Sequence, residues 1–347
     1  MDQLLSFKIV DIIQETDDAR TFLLREETGR ILFEAGQFLT FSLMIDGEEV
    51  RRSYSISSAP YELPFVKITM KRSPGGFASN FLFENLKIGD NLCAYPPIGE
   101  FTTKTAQNVK TLYLIGAGSG ITPLISIIKD VLHTRTDKEI NLIYGNRDIS
   151  SIIFHEELNK LAQQYSDKFK VIYVLSQPDV EWDDLKGRIN KSLITSLLKN
   201  TNISDVHFYL CGPPGMMIEV ISALKNLNVY SDQIHQEYFK IIIMQNADED
   251  EEEVKQRQVT ILFEGKEYSI PVRPRDSILD SALEHGLEIP NSCRVGQCTS
   301  CRARLISGKI NLVDQTALSE KDIALGYCLT CVGFPLSDDI VIDYDLP

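Results

Sequence analysis

Residues 293–301, Cys293-Arg294-Val295-Gly296-Gln297-Cys298-Thr299-Ser300-Cys301, set three thiols in the spacing CxxxxCxxC, and a fourth, Cys331, lies downstream. Thiolates are soft donors that hold iron and spread its charge onto sulfur, and this spacing is the plant-type arrangement for a 2Fe-2S cluster. The ligands read from it are Cys293, Cys298, Cys301 and Cys331. Gly296 fits the bottom of the loop, where the missing Cβ lets backbone amides approach the cluster sulfurs and tune them. The alternative is a structural zinc site built on the CxxC pairs Cys298 with Cys301 and Cys328 with Cys331. Zinc leaves the cysteine upstream of Cys298 without a purpose, and it does not account for the motifs described below. Cys328 is then surplus and reads as a small buried hydrophobe beside the cluster. Around the loop, strands are predicted over 259–263 and 268–272, an amphipathic helix from Ser277 to about Gly286, and a closing strand over 340–342. The pattern is a small mixed α+β domain.

Upstream, Asp248 to Glu253 form an uninterrupted acidic run, which self-repels and predicts an extended linker over 241–256. The remaining chain is long enough for two further domains in a total of 347 residues. A content of 43% hydrophobic and 24% charged residues is that of a folded globular protein. A net charge of −14 argues against an extended nucleic-acid surface. No apolar stretch approaches the roughly 20 residues of a membrane-spanning helix. The N-terminus lacks the basic and apolar regions of a secretory signal, and the cysteines cluster as metal ligands do rather than as a secreted disulfide framework. A cytoplasmic location is expected, with small molecules and proteins as partners.

Residues 1–105 carry short alternating apolar segments punctuated by Gly and Pro, the pattern of an antiparallel β-barrel. On one of these strands, Arg52 and Tyr54 share one face while Ser53 and Ser55 share the other. A flavin needs this mix: a guanidinium for its phosphate, an aromatic ring for stacking and a hydroxyl near N5. Gly75-Gly76-Phe77-Ala78-Ser79 opens a helix, and Gly76 and Ser79 offer a second phosphate cradle or a plain turn with its cap.

From 106 to 240 the texture changes. Apolar strands over 111–115, 140–144, 171–175 and 207–211 alternate with helices from about Pro123 and near Glu156, predicting an α/β doubly wound parallel sheet. That architecture binds nucleotides at the C-terminal ends of its strands. Gly116-Ala117-Gly118-Ser119-Gly120-Ile121-Thr122-Pro123 follows a strand and opens a helix, the context for holding a pyrophosphate. Ile121 replaces the last glycine of a strict GxGxxG, so the loop is not of the dehydrogenase type. Cys211-Gly212-Pro213-Pro214-Gly215 repeats the logic at a later strand end, where a flat nicotinamide ring can approach closely. Arg147, just beyond a strand, is placed to pair with a 2′-phosphate, which favours NADPH over NADH.

Together these residues resemble the ferredoxin-NADP reductase superfamily fused to a C-terminal plant-type ferredoxin domain. Arg52, Tyr54 and Ser55 match its flavin motif, Gly116 to Pro123 and Cys211 to Met217 match its nucleotide motifs, and Glu237 with Phe239 match the acidic and aromatic pair that closes the nucleotide domain. Arg51-Arg52, Tyr144-Gly145-Asn146-Arg147 and the ending Gly326 to Cys331 draw the resemblance toward reductase subunits of phenylacetyl-CoA epoxidases. It implies FAD, an NADPH-binding sheet and a β-grasp ferredoxin module over 257–347. It also implies that Ser55, Cys211 and Glu237 order the rings for hydride transfer, and that electrons leave through the cluster to a multicomponent diiron oxygenase. A nicotinamide delivers two electrons and the cluster takes one at a time, so the flavin between them has a necessary task. Alternatives are an NADH-dependent reductase of a ring-hydroxylating dioxygenase or another monooxygenase, with FMN in place of FAD, and a ferredoxin-like carrier or redox sensor without catalysis.

Overall fold

The computed structural model describes residues 4–45, 48–72, 77–135, 137–239, 255–274, 276–291, 293–294, 296–312 and 317–346, with backbone alone at 48–49 and 77–79. Gly76 and most of the acidic linker lie outside the described residues. The chain divides into two compact units, Met1–Glu237 and Tyr238–Pro347. No helix among the described residues is long and apolar enough to cross a membrane.

The first unit begins with strands β1 (Leu5–Thr16), β2 (Ala19–Glu26), β3 (Phe38–Ile45), β4 (Glu48–Ser55), β5 (Phe65–Lys71) and β6 (Asn91–Ala94), with helix α1 (Phe77–Asn85) between the last two. They form one antiparallel sheet in the order β4-β3-β6-β1-β2-β5. A bridge between Ile56 and Ile68 joins its two outer strands, and Ser57 N–H donates to Lys67 O at 2.8 Å. The sheet therefore closes as a barrel, which removes its edges. Alternation fills the interior: Phe7, Ile9, Phe22, Leu24, Leu39, Phe41, Val66 and Ile68 are all fully buried. Burying each such side chain stabilises the domain by roughly 1.5–3 kcal/mol.

The second half of this unit runs β7 (Thr111–Ala117), α2 (Ile121–Thr134), β8 (Glu139–Asn146), α3 (His155–Gln164), β9 (Phe169–Leu175), β10 (Leu185–Lys186), α4 (Lys191–Leu197), β11 (Val206–Cys211), α5 (Pro214–Asn226) and β12 (Ile234–Glu237). The strands pair in parallel in the order β10-β9-β8-β7-β11-β12. Strand order reverses between β7 and β11, so the crevice for a ligand lies beyond the C-terminal ends of these two strands. The barrel joins this sheet through 102–110, where the buried ammonium of Lys138 donates to the carbonyls of Ala106 at 2.9 Å, Gln107 at 3.0 Å and Val109.

The second unit contains β13 (Arg257–Phe263), β14 (Lys266–Val272), α6 (Ile278–Glu284), β15 (Arg302–Ser307), β16 (Ile310–Leu312), α7 (Glu320–Ala324), β17 (Tyr327–Leu329), β18 (Gly333–Pro335) and β19 (Ile340–Asp343). Its main sheet has the order β14-β13-β19-β15-β17, with β13 and β19 parallel and the other pairs antiparallel, and α6 packs its Ile278, Leu279 and Ala282 into the same core. The hairpin β13–β14 turns on Glu264 (φ 53°) and Gly265 (φ 69°), and the Asp345 carboxylate accepts from both amides at 2.7 and 2.9 Å.

Candidate electron-transfer site

The reversal of strand order brings two glycine-bearing loops together. Cys211 is the register partner of Gly116 on one side and of Glu237 on the other. A Cβ on Gly120 would lie 2.5 Å from the Cys211 carbonyl carbon and 2.9 Å from the Gly212 Cα; one on Gly116 would meet Leu124 Cδ1 at 2.7 Å; one on Gly212 would meet Met216 Cε at 2.8 Å. These glycines let the loops touch. Gly118 differs: its φ is +55° and nothing approaches its Cβ position, so it faces open space at the head of α2. Thr122 Oγ1 donates back to Ser119 O at 3.0 Å, and Pro123 is buried in the first turn of α2.

The helix starts here suit an anion. Neither α2 nor α5 has a side-chain cap or an acidic residue in its first turn. Helices α4, α6 and α7 are each capped, by Asn190, Ser277 and Ser319. Helix α3 also lacks a cap but carries Glu156 and Glu157 in its first turn. The uncapped N–H groups beside the switch point are the donors that a dinucleotide's phosphates require. Cys211 is fully buried, and burial together with the Glu237 carboxylate pushes its thiol well above the ordinary range, so it stays a neutral thiol. It is suited to pack and orient rather than to act as a nucleophile. Arg147 follows β8 and is mostly exposed, with its Nε 3.0 Å from Asp148.

On the barrel, Arg52 and Tyr54 are each partly exposed and share the face of β4 that carries their register partners Phe41 and Leu39. Tyr54 rests on the barrel core with its ring 6.3 Å from Phe41, and burial pushes its hydroxyl up to about 12. On the opposite face Ser53 and Thr40 share a hydrogen bond of 2.9 Å, and Ser55 is buried opposite Phe38 at the strand's end. A guanidinium and a neutral phenol, each partly exposed on the same strand, fit a phosphate and a flat ring. The backbone of Ser79 lies in the first turn of α1, while Gly76 and the Ser79 side chain fall outside the described residues.

In the second unit the four predicted ligands come together in a buried site. Cys293, Cys301 and Cys331 are at most 4% exposed and Cys298 is half-buried. They associate as Cys293 with Cys298 and Cys301 with Cys331, not as the CxxC pairs of the zinc alternative. Hydrogen bonding from Cys293 pulls the Cys298 thiol down to about 5, and hydrogen bonding from Cys331 lowers Cys301. Among the described residues no three His, Cys, Asp or Glu side chains surround a single ion position. Four thiols gathered as two pairs are, in number and kind, the donors a 2Fe-2S cluster requires. Gly296, at φ +77°, hydrogen-bonds through its backbone to the Cys331 sulfur, and the Cys293 amide donates to Cys298 Sγ at 3.5 Å. Cys328 sits three residues before Cys331, inside β17 and fully buried, with its thiol on Ala303 O at 3.6 Å.

Two supports were not read from the sequence. Tyr344 Oη donates to Thr330 Oγ1 at 2.6 Å, and Thr330 Oγ1 in turn donates to Cys301 O at 3.1 Å. This relay ties together the two segments that supply Cys301 and Cys331. A partly buried tyrosine fourteen residues beyond Thr330 carries no spacing signal that would have announced it. Phe239 is exposed and belongs to the second compact unit.

Three family models match in succession: an oxidoreductase FAD-binding domain over 6–103, an oxidoreductase NAD-binding domain over 114–221 and a 2Fe-2S iron-sulfur cluster binding domain over 261–336. A subunit of the 1,2-phenylacetyl-CoA epoxidase of Escherichia coli K12 is 34% identical, with 98% of this chain and 97% of that protein covered. The ferredoxin reductase component of a 3-ketosteroid-9-alpha-monooxygenase from Rhodococcus rhodochrous is 30% identical over 96% of this chain and 95% of its own. The glycine betaine monooxygenase reductase subunit of Pseudomonas aeruginosa UCBPP-PA14 is 32% identical over 97% and 94%. Among solved structures, phthalate dioxygenase reductase superposes with a TM-score of 0.66 at 25% identity, covering 99% of this chain and 98% of that one. The chain belongs to the flavin–iron–sulfur oxygenase reductases, the branch of the ferredoxin-NADP reductase superfamily that carries a C-terminal 2Fe-2S ferredoxin domain.

Proposed function

We propose that this reductase takes electrons from NADPH and delivers them, through FAD and the 2Fe-2S cluster, to a separate diiron oxygenase of the phenylacetyl-CoA epoxidase kind in the cytoplasm. The observation that carries the choice of partner is the 34% identity with the Escherichia coli epoxidase component along nearly the whole chain. FAD, when bound, accepts a hydride's two electrons and passes them on singly. The protein's part is placement. Arg52 neutralises the flavin phosphate, Tyr54 supports its ring and Ser55 holds the ring edge. The amides at the start of α2 hold the pyrophosphate, and Cys211 with Glu237 order the nicotinamide beside the switch point. Arg147 meets the 2′-phosphate of NADPH and exchanges its Asp148 partner for it. Cys293, Cys298, Cys301 and Cys331 hold the iron.

The monooxygenase reductases at 30 and 32% identity support a second reading, in which the acceptor is another oxygenase. Reconstitution decides between them. The holoprotein should restore NADPH-driven oxygen uptake to a diiron phenylacetyl-CoA epoxidase lacking its reductase; failure with that oxygenase and success with another would overturn the partner. A catalytic efficiency favouring NADH, or one for NADPH unchanged in Arg147→Ala, would overturn the coenzyme assignment.

A further inference from the structure

The strand that carries Arg52, Tyr54 and Ser55 continues into a buried turn, and that turn is gripped by the helix that begins at the nucleotide loop. Ser126 of α2 is fully buried and its Oγ donates to Ser58 O at 2.6 Å. One turn further along, the Lys129 ammonium, on a residue 5% exposed, reaches Ser57 O at 3.5 Å, the Glu62 carboxylate at 3.0 Å and the Glu157 carboxylate of α3 at 2.9 Å. Glu62 is itself fixed: its Oε1 accepts from the Ala59 amide at 2.7 Å, and Lys67 lies 3.4 Å from its Oε2. Burial works against the charge on Lys129, but Glu157 and Glu62 outweigh it and hold the ammonium above the ordinary lysine range. Helix α2 starts at Ile121, directly after the Gly118–Gly120 turn. At 1.5 Å per residue, Lys129 therefore sits about 12 Å along the axis from the end that faces the nucleotide.

An ionic triad around a buried ammonium adds little net stability, since an apolar contact of equal volume does as well or better. What an apolar contact does not supply is register, because two greasy faces slide over one another at small cost. A three-way charged fork with fixed carbonyl partners has one good geometry. It joins the flavin-motif strand to the glycine-loop helix, the two elements whose spacing sets the approach of nicotinamide to flavin. We infer that Lys129, seconded by Ser126, is a positioning residue for hydride transfer, acting through the Ser57–Glu62 turn. This deepens the reductase reading and rests on it.

The test uses the full chain loaded with FAD and cluster, as wild type, Lys129→Met, Lys129→Arg and Ser126→Ala. Anaerobic stopped-flow bleaching of the flavin against NADPH concentration separates the limiting rate from the apparent affinity. Titration with NADP+ followed by flavin circular dichroism reports ring geometry with no turnover. Because a misplacement of about 1 Å can cost on the order of 100-fold, Lys129→Met is expected to lower the limiting rate at least tenfold. Its flavin dichroism with NADP+ should change, while flavin content and the NADP+ dissociation constant hold within about twofold. Lys129→Arg should recover most of the rate, and Ser126→Ala should lose a few-fold. An unchanged limiting rate and unchanged dichroism, with only a lower unfolding temperature, would make the triad structural and overturn the inference. So would a loss confined to NADP+ affinity. If Lys129→Met does not fold, Glu157→Gln removes the partner on α3 and must show the same loss of limiting rate; an unaltered rate there also overturns it. A wild-type chain that binds FAD yet is bleached by neither NADPH nor NADH would instead sink the reductase reading.

Discussion

Gly120→Ala tests whether the two loops at the switch point are matched by contact. Gly120 has helical dihedrals, φ −60° and ψ −10°, so an alanine there carries no backbone penalty. Its methyl would stand 2.5 Å from the Cys211 carbonyl carbon and 2.9 Å from Gly212 Cα. Carbon atoms rest about 3.5 Å apart or more, so the end of β11 or the head of α2 must move by about 1 Å. Overpacking a close-packed site costs roughly 1–3 kcal/mol. For a unit of this size about 2 kcal/mol lowers the unfolding temperature by about 4–8 °C. The same displacement moves Cys211 and Gly212 away from the nucleotide, so the NADP+ dissociation constant should rise with the instability. Gly215→Ala is the control, since nothing lies within 4 Å of its Cβ position in α5. Gly118→Ala separates strain from crowding: it meets no atom but is forced into φ +55°, a cost of about 1–2 kcal/mol. Calorimetry and NADP+ titration on the three variants give the answer. Should Gly120→Ala melt and bind like Gly215→Ala, the contact would not constrain the site.

Cys331→Ser should abolish the 2Fe-2S absorption and leave the flavin spectrum intact, whereas Cys328→Ala should keep the cluster at a stability cost of about 1 kcal/mol for one buried sulfur; iron content per chain and visible absorption check both, and the reverse result would reassign the fourth ligand. His235 stacks on His207 with an Nδ1–Nε2 contact of 2.8 Å, and burial, with the neighbouring His207, lowers it from the ordinary 6.5 to about 4. The unfolded chain then binds the proton more readily between those values. Stability is therefore full above about pH 6.5 and falls as pH drops toward 4, by less than complete burial would give because the ring is partly exposed. Unfolding temperature against pH should flatten in His235→Gln, and equal slopes in both proteins would refute the assignment.

The parallel sheet was legible because its strands, covered by helices, read as apolar runs. The run 111–115 became Thr111–Ala117, and 171–175 became Phe169–Leu175. The helix start at Ser277 was legible through its side chain, which accepts from the Asp280 amide at 3.0 Å. Strands of two or three residues, Leu185–Lys186, Ile310–Leu312 and Gly333–Pro335, have no room for a period and are defined only by their partners. Strand Ile234–Glu237, with the sequence IHQE, shows neither alternation nor an apolar run, and Glu237 was reached by family likeness instead. The Lys129 triad joins residues from three separate stretches of chain, 57–62, 126–129 and 157, and pairing of that kind leaves no local mark.

Spacing and family likeness point to Cys331 rather than Cys328 as the proposed fourth ligand, and the backbone supplies a physical reason for that choice. Cys328 lies inside β17, where it is the register partner of Ala303. Its thiol is spent on the Ala303 carbonyl, and burial pushes it up to about 12. A residue inside a ladder points where the pleat sends it. Cys331 lies past the strand's end in the turn Thr330–Val332, where the chain has left the ladder, and its sulfur meets Cys301 and the Gly296 backbone. Thr330 makes that departure reproducible: its amide and its hydroxyl both bond Cys301 O, at 3.3 and 3.1 Å, and Tyr344 braces the hydroxyl from β19's end. On that proposed assignment the ligand is chosen by where the strand stops, and the threonine before Cys331 holds the stop in place.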